Sequence, residues 1–502
     1  MRRSTTSNLI SDVTTPLLSA LIQHAGTGRT SFHMPGHRSG QSWPDSIRTR
    51  LASLDTTELA ATDDLHQPTG PALAAMDLAA HCFGAGRTWF LTNGSTGGIL
   101  TLLAGLVGRG RKIILPRTCH LAVSHALALL DIEPVWLEFS RPVSTDPLGF
   151  LPVVAVNQIA DAIALHPDST AVFLTSPDYY GRCADLAAIS LVVHQAGMLL
   201  LVDEAHGAHF AAAPGHLPRT ALASGADACV QSAHKTLPAL TQGGYLHVSE
   251  SLMNQDPRTA GRITAALRIF QTSSPSFVIA ASLDFARAYL EKHGQEQIEK
   301  TLVSIQDLAM ALWPDYLISP ATATPVRGEV RDPLRMVIRQ REPLALPATQ
   351  LALELSLHGI DIELSDLTRL VLIPSLDQPG HDFERLRLAL SAWLKKPQPD
   401  RPASDVDVLQ LEQHWLELLV QPPEMALTPG SVLLEPVDTE IVPLISSAGS
   451  VMAQAIAPYP PGIPLLLPGE RMDQARLDLL LALRDNGINL SGVDHDSIRV
   501  VV

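Results

Sequence analysis

A lysine directly follows a short apolar run, since ACVQS at 228–232 leads into AHK at 233–235. A lysine at the end of a buried strand can lose its proton, because burial disfavours the ammonium ion. The free amine can then form a Schiff base with an aldehyde. Most lysines are instead solvated surface charges, so the neighbours of Lys235 must decide between the two interpretations. Ser232 and His234 lie just before it and can donate hydrogen bonds to a phosphate group.

A second strongly apolar run, MLLLVD at 198–203, ends in Asp203. A carboxylate there is costly to bury without a cationic partner. A protonated pyridine nitrogen is such a partner, and its protonation makes the ring a better electron sink. The alternatives are a helix N-cap or a metal site formed with residues 204–209. A strand-end aspartate followed by a strand-end lysine favours the ring-nitrogen partner, and we expect no metal.

The segment FLTNGSTGGILTLLAGL at 90–106 reads as a strand, a glycine-rich turn and an apolar helix. Gly94 lets the backbone approach a ligand closely. The first amides of the helix and the hydroxyls of Ser95 and Thr96 then form an anion site. The alternative is simple N-capping by Ser95. The segment is not a P-loop, because no Gly-Lys-Ser/Thr follows.

Two further polar positions follow apolar segments. His120 lies just beyond KIILP at 112–116, where an imidazole can stack on a planar cofactor, although a lone histidine there is often only a polar residue at a strand end. A predicted helix ends before Pro275 in the hydroxyl cluster Thr272, Ser273 and Ser274, where a simple loop needs only one hydroxyl.

Helical stretches alternate with short β-rich runs between about 70 and 250, which predicts an α/β fold with a mostly parallel sheet buried on both faces. Ligands in such sheets bind at the carboxyl ends of the strands, where the polar positions above fall. The predicted strands are TWFLT (88–92), KIILP (112–116), PVWLE (134–138), AVFLT (171–175), MLLLVD (198–203), ACVQS (228–232) and GGYLHV (243–248).

The length of 502 residues predicts more than one domain. We expect an N-terminal segment over 1–60, with a short amphipathic helix around 17–22 and a Gly- and Pro-marked loop at 32–40. A large domain over 61–310 and a small α+β domain over 311–396 follow. The polar, Pro-rich stretch at 395–405 suits a linker to a C-terminal α+β module over 405–502.

Composition limits the possible partners. A net charge of −15 disfavours nucleic acid and anionic membranes and suits a cationic substrate, although many soluble proteins are acidic. No apolar run approaches the roughly 18 residues that a membrane span needs, and we expect no signal peptide. The cysteines form neither a CxxC pair nor a disulfide pattern, so we expect reduced thiols in a cytoplasm. They are Cys82, Cys119, Cys183 and Cys229.

Taken together, these segments resemble the fold-type I, aspartate-aminotransferase-like enzymes that use pyridoxal 5'-phosphate. More narrowly, the chain resembles the Orn/Lys/Arg decarboxylase family in its shorter form without an N-terminal wing domain. The DDLH-x-P-x-G and YPPGIP…PGE segments point to this family rather than to aminotransferases. The motifs are FHMPGHRSG (32–40), DTTELAATDDLHQPTG (55–70), FLTNGSTGG (90–98), LTSPDYYGRCADL (174–186), LLVDEAHGAHF (200–210), QSAHKTLPALTQGGYLHV (231–248), QTSSPS (271–276), GIDIELSD (359–366) and YPPGIPLLLPGE (459–470).

The resemblance implies a role for each matching residue. Lys235 would bind the aldehyde, Asp203 would pair with the pyridine nitrogen, and His120 would stack on the ring. His206 would line the cleft. Glu470 and the loop at Asp63 and Asp64 are expected to contact the distal cation of the substrate. The residues expected at the phosphate are Gly94, Ser95, Thr96, Ser232 and His234, with Thr272 and Ser273 reaching the phosphate of a neighbouring subunit.

One segment departs from the family pattern. The family usually has a run close to Arg-Asn-x-His-Lys-Ser, whereas this chain has Arg-Thr-Cys-His-Leu-Ala at 117–122. The stacking histidine is retained, but Leu121 and Ala122 replace the Lys-Ser pair. Any contact that those two side chains make is therefore absent here, and the substrate is in question.

The resemblance implies loss of CO2 from a basic amino acid, with arginine expected first, then lysine, then ornithine. Lys235 and His234 are both candidates to return a proton to Cα. The first alternative is an aminotransferase or lyase on the same fold, whose α-carboxylate would be bound by a small-domain arginine. The second is a non-catalytic relative that serves in protein–protein interaction. By analogy we expect a homodimer with shared sites, or a tetramer. The arginines in question are Arg327, Arg331, Arg335 and Arg339.

Overall fold

The protein is described by a computed structural model over residues 16–139, 146–313, 315–319, 330–341, 348–396, 408–459 and 462–502. Within these residues, no helix combines the length and the apolar character needed to cross a membrane.

A seven-stranded sheet forms the centre of the large unit, and all seven predicted strands belong to it. Six strands are parallel, and Gly244–Val248 runs antiparallel between Arg87–Leu91 and Ala228–Gln231. The predicted, mostly parallel sheet is therefore confirmed. In spatial order the strands are Arg87–Leu91, Gly244–Val248, Ala228–Gln231, Leu199–Asp203, Ala171–Thr175, Lys112–Leu115 and Glu133–Trp136.

Helices cover both faces of this sheet because its strands are apolar on both sides. Ile113 and Leu115 pack into the core on one face, while Ile114 between them packs into the core on the other. The helices of this unit are Pro71–Phe83, Gly94–Leu102, Leu121–Leu130, Val156–Leu165, Leu186–Gln195, Ala233–Thr236, Glu250–Gln255, Thr259–Phe270 and Phe277–Leu312, with a π-helical turn at Leu103–Val107 and 3-10 turns at Phe210–Ala212 and Leu222–Ser224.

The N-terminal segment packs against the small unit. Its strand Thr30–Phe32 pairs in parallel with Ile360–Ile362, and the buried Phe32 ring lies 5.5 Å from the ring of Phe383. The predicted short helix is present at Pro16–Ala25, followed by Asp45–Arg48 and Leu51–Leu54.

The small unit is an antiparallel sheet covered by two helices. It is joined to the large unit by the short strand Val330–Arg331, which pairs with Arg182–Cys183. Its remaining strands are Tyr316–Ile318, Met336–Gln340, Leu364–Ser365 and Leu370–Leu372, and its helices are Ala348–Leu357 and Gly380–Trp393.

The C-terminal unit shares a core with the rest of the chain, since the buried Trp415 ring lies 4.7 Å from the ring of Phe150. Its helix Pro429–Leu434 packs on Leu121–Leu130. The other helices are Val408–Val420 and Gln474–Asp485, with a 3-10 turn at Leu444–Ser446. The strands are Thr439–Pro443, Val451–Met452, Ala457–Tyr459, Asn489–Ser491 and Ser497–Val501.

The division into domains remains a prediction. The expected boundary at 310 and 311 falls within the helix Phe277–Leu312, and most of the expected linker at 395–405 lies outside the described residues.

A chain of buried hydrogen bonds crosses four neighbouring strands beside the site. Gln231 Nε2 donates to Glu204 Oε2 (2.8 Å), and Gln231 Oε1 accepts from His247 Nε2 (3.1 Å). The His247 Nδ1 then accepts from the hydroxyl of Thr88 (2.8 Å). Each donor has an acceptor, so this chain stabilises the strand register without an unpaired polar group.

His247→Phe is expected to lower the free energy of unfolding by about 1–3 kcal/mol, because Gln231 Oε1 and the Thr88 hydroxyl lose their partner. Urea titration at pH 7.5 measures this loss. Burial lowers the pKa of His247 to about 3, so only the unfolded state gains this proton as the pH falls below about 6.5. The wild type therefore loses stability on acidification, and the difference from the variant should shrink by pH 5.

His216→Phe is the matched control, because the His216 side chain is 53% exposed. This variant should unfold like the wild type at both pH values. A difference between wild type and His247→Phe that stays constant from pH 7.5 to 5 would contradict the neutral, buried imidazole.

Candidate active site

The carboxyl ends of the parallel strands surround a cavity of about 340 Å³. Most of the predicted site residues meet there, as expected for a parallel sheet. The predicted residues that line it are Gly94, Ser95, Thr96, His120, Asp203, His206, Ser232, His234 and Lys235.

Lys235 lies on the short helix Ala233–Thr236, immediately after the strand Ala228–Gln231. Its Nζ is 2.9 Å from His206 Nε2 and 5.5 Å from the centre of the Tyr179 ring. Burial lowers the pKa of Lys235 to about 8, although Asp203 and Glu363 favour the charged form. A substantial fraction of this amine is therefore neutral near pH 7.5, which a nucleophile requires.

Asp203 ends the neighbouring strand and is 3% exposed. Its Oδ1 accepts a hydrogen bond from the backbone amide of Ala205 (3.0 Å). Among the described residues, no hydrogen-bond donor contacts its Oδ2. A buried carboxylate oxygen at a cavity wall without a donor from the chain is suited to a cationic ligand group.

The opposite end of the cavity is rich in hydroxyls and backbone amides. The helix Gly94–Leu102 begins there, with Gly94 in the left-handed region at φ +78°. Ser95 Oγ lies 2.6 Å from Ser232 Oγ. Because the first amides of a helix have no partners within it, this end can bind an anion.

Two histidines face the cavity as neutral rings. His120 caps the helix Leu121–Leu130, and its Nδ1 accepts from the backbone amide of Ala122 (3.1 Å). His234 Nδ1 donates to the carbonyl of Gly243 (3.1 Å). Burial is the largest cause that lowers the pKa of both imidazoles.

Thr272 and Ser273 do not line this cavity and are exposed. The loop at Asp63 and Asp64 lies beside them, since His66 Nε2 is 2.8 Å from the carbonyl oxygen of Thr272. The two segments form one surface, which we call the hydroxyl–acid patch, defined by residues 63–66 and 272–274.

Asp63 performs a structural task in this chain. Its carboxylate accepts hydrogen bonds from the amides of Thr69, Gly70 and Ala72 at the start of the helix Pro71–Phe83. Desolvation opposes ionisation, but these backbone hydrogen bonds and the one from Asp64 lower the pKa of Asp63 to about 2. Asp64 instead accepts from the amide of His66 (2.7 Å).

Glu470 does not line the cavity either. It is fully buried, and its Oε2 binds Arg117 Nη2 (2.5 Å) and the amide of Leu467 (2.6 Å). Arg117 follows the strand Lys112–Leu115, so the pair joins the C-terminal unit to the sheet three residues from His120. Burial raises the pKa of Glu470 despite the opposite effect of Arg117.

None of the described small-unit arginines that could bind an α-carboxylate lines the cavity. Arg331 pairs with Asp146, and Arg339 Nη1 donates to the carbonyl of Pro147 (3.1 Å). Arg335 Nη2 donates to His206 Nδ1 (2.8 Å). Arg327 lies outside the described residues.

Several cavity residues were not predicted. Tyr179 follows the strand Ala171–Thr175, and its ring lies 4.6 Å from that of His206. The rule that ligands bind at the carboxyl ends of strands could have identified it. Residues 151–154 also line the cavity, although no local pattern in the sequence indicates this. Ile463 lines it too and belongs to the YPPGIP…PGE segment.

The comparisons with known proteins agree with this geometry. Family models described as Orn/Lys/Arg decarboxylase match residues 15–314 with the major domain and 412–498 with the C-terminal domain. An uncharacterised Bacillus subtilis protein, YaaO, is 37% identical over 476 residues, which cover 93% of this chain and 94% of the relative. A Bacillus subtilis arginine decarboxylase is 30% identical over 497 residues, 97% of either chain.

Among solved structures, lysine decarboxylase A from Pseudomonas aeruginosa superposes with a TM-score of 0.76 at 20% identity. The match covers 96% of this chain and 80% of that one. At this identity the likeness shows the fold, which is the expected fold-type I architecture of enzymes that use pyridoxal phosphate.

Arg117→Met is expected to destabilise the protein by about 3–5 kcal/mol, because it leaves the Glu470 carboxylate buried without its cation. Calorimetric melting gives the change in Tm. The double variant Arg117→Met/Glu470→Met removes both charges and should recover most of the loss. Equal destabilisation of the single and double variants would show that the ion pair does not couple the C-terminal unit to the sheet.

Proposed function

The chain belongs to the Orn/Lys/Arg decarboxylase family, and from that premise we propose that it removes the α-carboxylate of a basic amino acid with pyridoxal phosphate bound at Lys235. The observation that carries this proposal is one cavity with a partly neutral lysine amine, a carboxylate oxygen without a donor and an anion-binding helix end.

The residues fit the cofactor by the chemistry of their donors and acceptors. Asp203 offers a carboxylate to a protonated ring nitrogen. The helix end at Ser95 and Thr96, together with Ser232, offers amides and hydroxyls to a phosphate. We propose that His234 completes this phosphate site and that His120 contacts the face of the ring.

When bound, pyridoxal phosphate supplies an aldehyde for amines and a protonated ring that accepts the electron pair left by a departing CO2. Lys235 would hold the cofactor at its aldehyde, because the amine of this lysine is partly neutral. Asp203 would lie beside the ring nitrogen, where its carboxylate would favour the protonated form.

The cavity walls favour loss of CO2 over loss of a proton. Leu151, Val153 and Ile463 are apolar and exclude water, so a carboxylate placed against them has little stabilisation. Among the described residues, the basic side chains at the wall besides the histidines are Lys235 and Arg182, and Arg182 Nη1 donates to the carbonyl of Leu151 (2.5 Å). The aminotransferase alternative requires a small-unit arginine at the α-carboxylate, and none of the described small-unit arginines lines the cavity.

We assign the return of a proton to Cα to Lys235 rather than to His234. His234 Nδ1 donates its proton in a hydrogen bond to the Gly243 carbonyl, and burial lowers the pKa of the His234 ring. Lys235, with a pKa of about 8, can both lose and regain a proton near neutral pH.

Arginine remains the first candidate substrate, followed by lysine and ornithine. The relative named arginine decarboxylase shares 30% identity, compared with 20% for the lysine decarboxylase structure. The net charge of −15 also favours a cationic substrate. Four free cysteines, three of them buried, support a reducing cytoplasm.

We further propose a homodimer, or a tetramer built from it, with active sites shared between two subunits. The predicted phosphate donors Thr272 and Ser273 are exposed and outside the cavity of their own chain. A second subunit that presents its hydroxyl–acid patch would bring these hydroxyls to the cofactor.

Incubation of the protein with pyridoxal phosphate and equal amounts of arginine, lysine and ornithine tests the reaction. Mass spectrometry should detect CO2 and mainly the amine derived from arginine. Lys235→Ala should abolish product, and Lys235→Arg should be equally inactive, because it keeps a cation but has no neutral amine. A 2-oxo acid in place of CO2 would favour the aminotransferase alternative, and no product would favour a non-catalytic relative.

Mixed subunits test the shared site. Lys235→Ala is expected to be inactive, and Thr272→Ala/Ser273→Ala is expected to be weakly active at limiting cofactor. Co-expressed in equal amounts, they should regain about one quarter of wild-type activity, because half of the dimers then contain one intact site. The same mixture assembled from Lys235→Ala and Lys235→Arg is the control. No recovery in the first mixture would place both groups of residues in the same chain's site.

A further inference from the structure

We propose that Arg335 is a positioning residue that fixes the single proton of His206 on Nε2 and thereby favours the neutral form of the Lys235 amine. The inference rests on the proposed function for its purpose, since a neutral amine is what the reaction needs. The contacts that carry it lie within this chain.

The direction of the hydrogen bonds follows from the arginine. A guanidinium has only donors and stays protonated in proteins. Because Arg335 Nη2 lies 2.8 Å from His206 Nδ1, that nitrogen must be the acceptor. The proton of the neutral ring is then on Nε2, which lies 2.9 Å from Lys235 Nζ.

The amine at the end of this chain must accept a hydrogen bond. An ammonium ion has three donors and no acceptor, so it would oppose the Nε2 proton of His206. A neutral amine has a lone pair for that proton. The two hydrogen bonds, from Arg335 to His206 and from His206 to Lys235, can therefore both form only when Lys235 is the free base.

The fold holds Arg335 from two sides. Its amide donates to the carbonyl of Asp332 (3.2 Å), and Asp332 Oδ1 accepts from His209 Nε2 (3.0 Å). On the other side, a Cβ at Gly181 would lie 2.6 Å from Arg335 Cβ, and Gly181 has φ +81°. A glycine at this position is thus required for the arginine side chain to reach His206.

Arg335 is not held for stability alone. It is 1% exposed, yet its Nε and Nη1 have no hydrogen-bond partner among the described residues. A fully buried cation with unsatisfied donors is costly. The one side-chain hydrogen bond of Arg335 among the described residues is directed at the His206 ring next to Lys235, which indicates a positioning role.

Other charged and polar groups also face the Lys235 amine. Asp203 and Glu363 favour its protonation, whereas Arg335 opposes it. The pKa of His206 is well below its ordinary value, because of burial first and of Lys235 and Arg335 next, which is consistent with a neutral ring. The groups around the amine are Asp203, Glu363, Arg335, His206, His120, His234 and Tyr179.

Competitive labelling with acetic anhydride tests the inference in the cofactor-free protein. The chain has six lysines, and peptide mass spectrometry follows each one from pH 6 to 11, with Lys292 and Lys300 as internal references. Wild-type Lys235 should show a midpoint near about 8. In Arg335→Met the midpoint should rise by about one unit or more, because a nearby cation is lost.

Two further variants separate charge from general damage. Arg335→Lys keeps a cationic donor and should bring the Lys235 midpoint back towards the wild-type value. Arg268→Met, at an exposed helix position, makes the same change from arginine to methionine and should leave the midpoint unchanged. A Lys235 midpoint in Arg335→Met equal to that of the wild type would overturn the inference.

The tautomer of His206 is a second measurement that a merely structural role would not change. NMR of protein with 15N-labelled histidine, assigned against His206→Asn, should show a bare Nδ1 and a protonated Nε2. Arg335→Gln keeps a neutral donor and should retain this pattern, whereas Arg335→Met should lose it. If Arg335→Met does not fold, wild type and Arg335→Gln still decide, and a protonated Nδ1 in either overturns the inference.

Neither measurement needs cofactor or turnover. A protein that fails to release CO2 can still show the effect of Arg335 on His206 and Lys235, in which case only the proposed function fails. If the protein releases CO2 but the labelling midpoint of Lys235 does not change when Arg335 is replaced, the proposed function stands and the inference about Arg335 is refuted.

Discussion

A primary amine reacts with a carbonyl only in its neutral form, and this constraint shapes the surroundings of Lys235. Burial lowers its pKa to about 8, although Asp203 and Glu363 favour the charged amine. In the proposed reaction the same cavity also holds a carboxylate beside a ring nitrogen. The amine and the carboxylate have different partners. Lys235 faces a neutral imidazole, whereas Asp203 accepts a backbone hydrogen bond.

The sheet supplies the spacing that this arrangement needs. Asp203 pairs with Val230 in the neighbouring parallel strand, and Lys235 follows that strand by one helical turn. The buried hydrogen bonds from Glu204 to Thr88 cross the same strands immediately behind the site. Strands can shift relative to one another only by whole residues, so a fixed register holds the lysine and the aspartate at one separation.

The sequence predicted well those features that depend on local pattern. Continuous apolar runs identified all seven strands, and the polar residues that follow them meet in the cavity. Features that depend on distant partners could not be predicted. An acid in a conspicuous loop, Glu470, is equally compatible with a substrate contact and with a buried ion pair. Only the fold reveals Arg117 beside it. The small-domain arginines Arg331, Arg335 and Arg339 were likewise indistinguishable before their partners were known.

In the proposed function, the C-terminal unit and a second subunit both bear on how a cationic substrate is recognised. Gly462 and Ile463 form part of the cavity wall, but they carry no charge. Among the described residues that line the cavity, the acids are Asp178 and Asp203. Asp203 is suited to the ring nitrogen. Asp178 uses Oδ1 for two backbone amides, its Oδ2 has no hydrogen-bond partner among the described residues, and burial raises its pKa.

The proposed shared site offers a further acid for the distal cation. Asp63 is occupied by the start of its own helix, with three amides on its carboxylate. Asp64, beside it in the hydroxyl–acid patch, accepts one hydrogen bond through Oδ1. If the patch enters the neighbouring subunit's cavity, Thr272 and Ser273 arrive at the phosphate with Asp64 on the same surface. The shared site would then complete cofactor binding and substrate recognition in a single step of assembly.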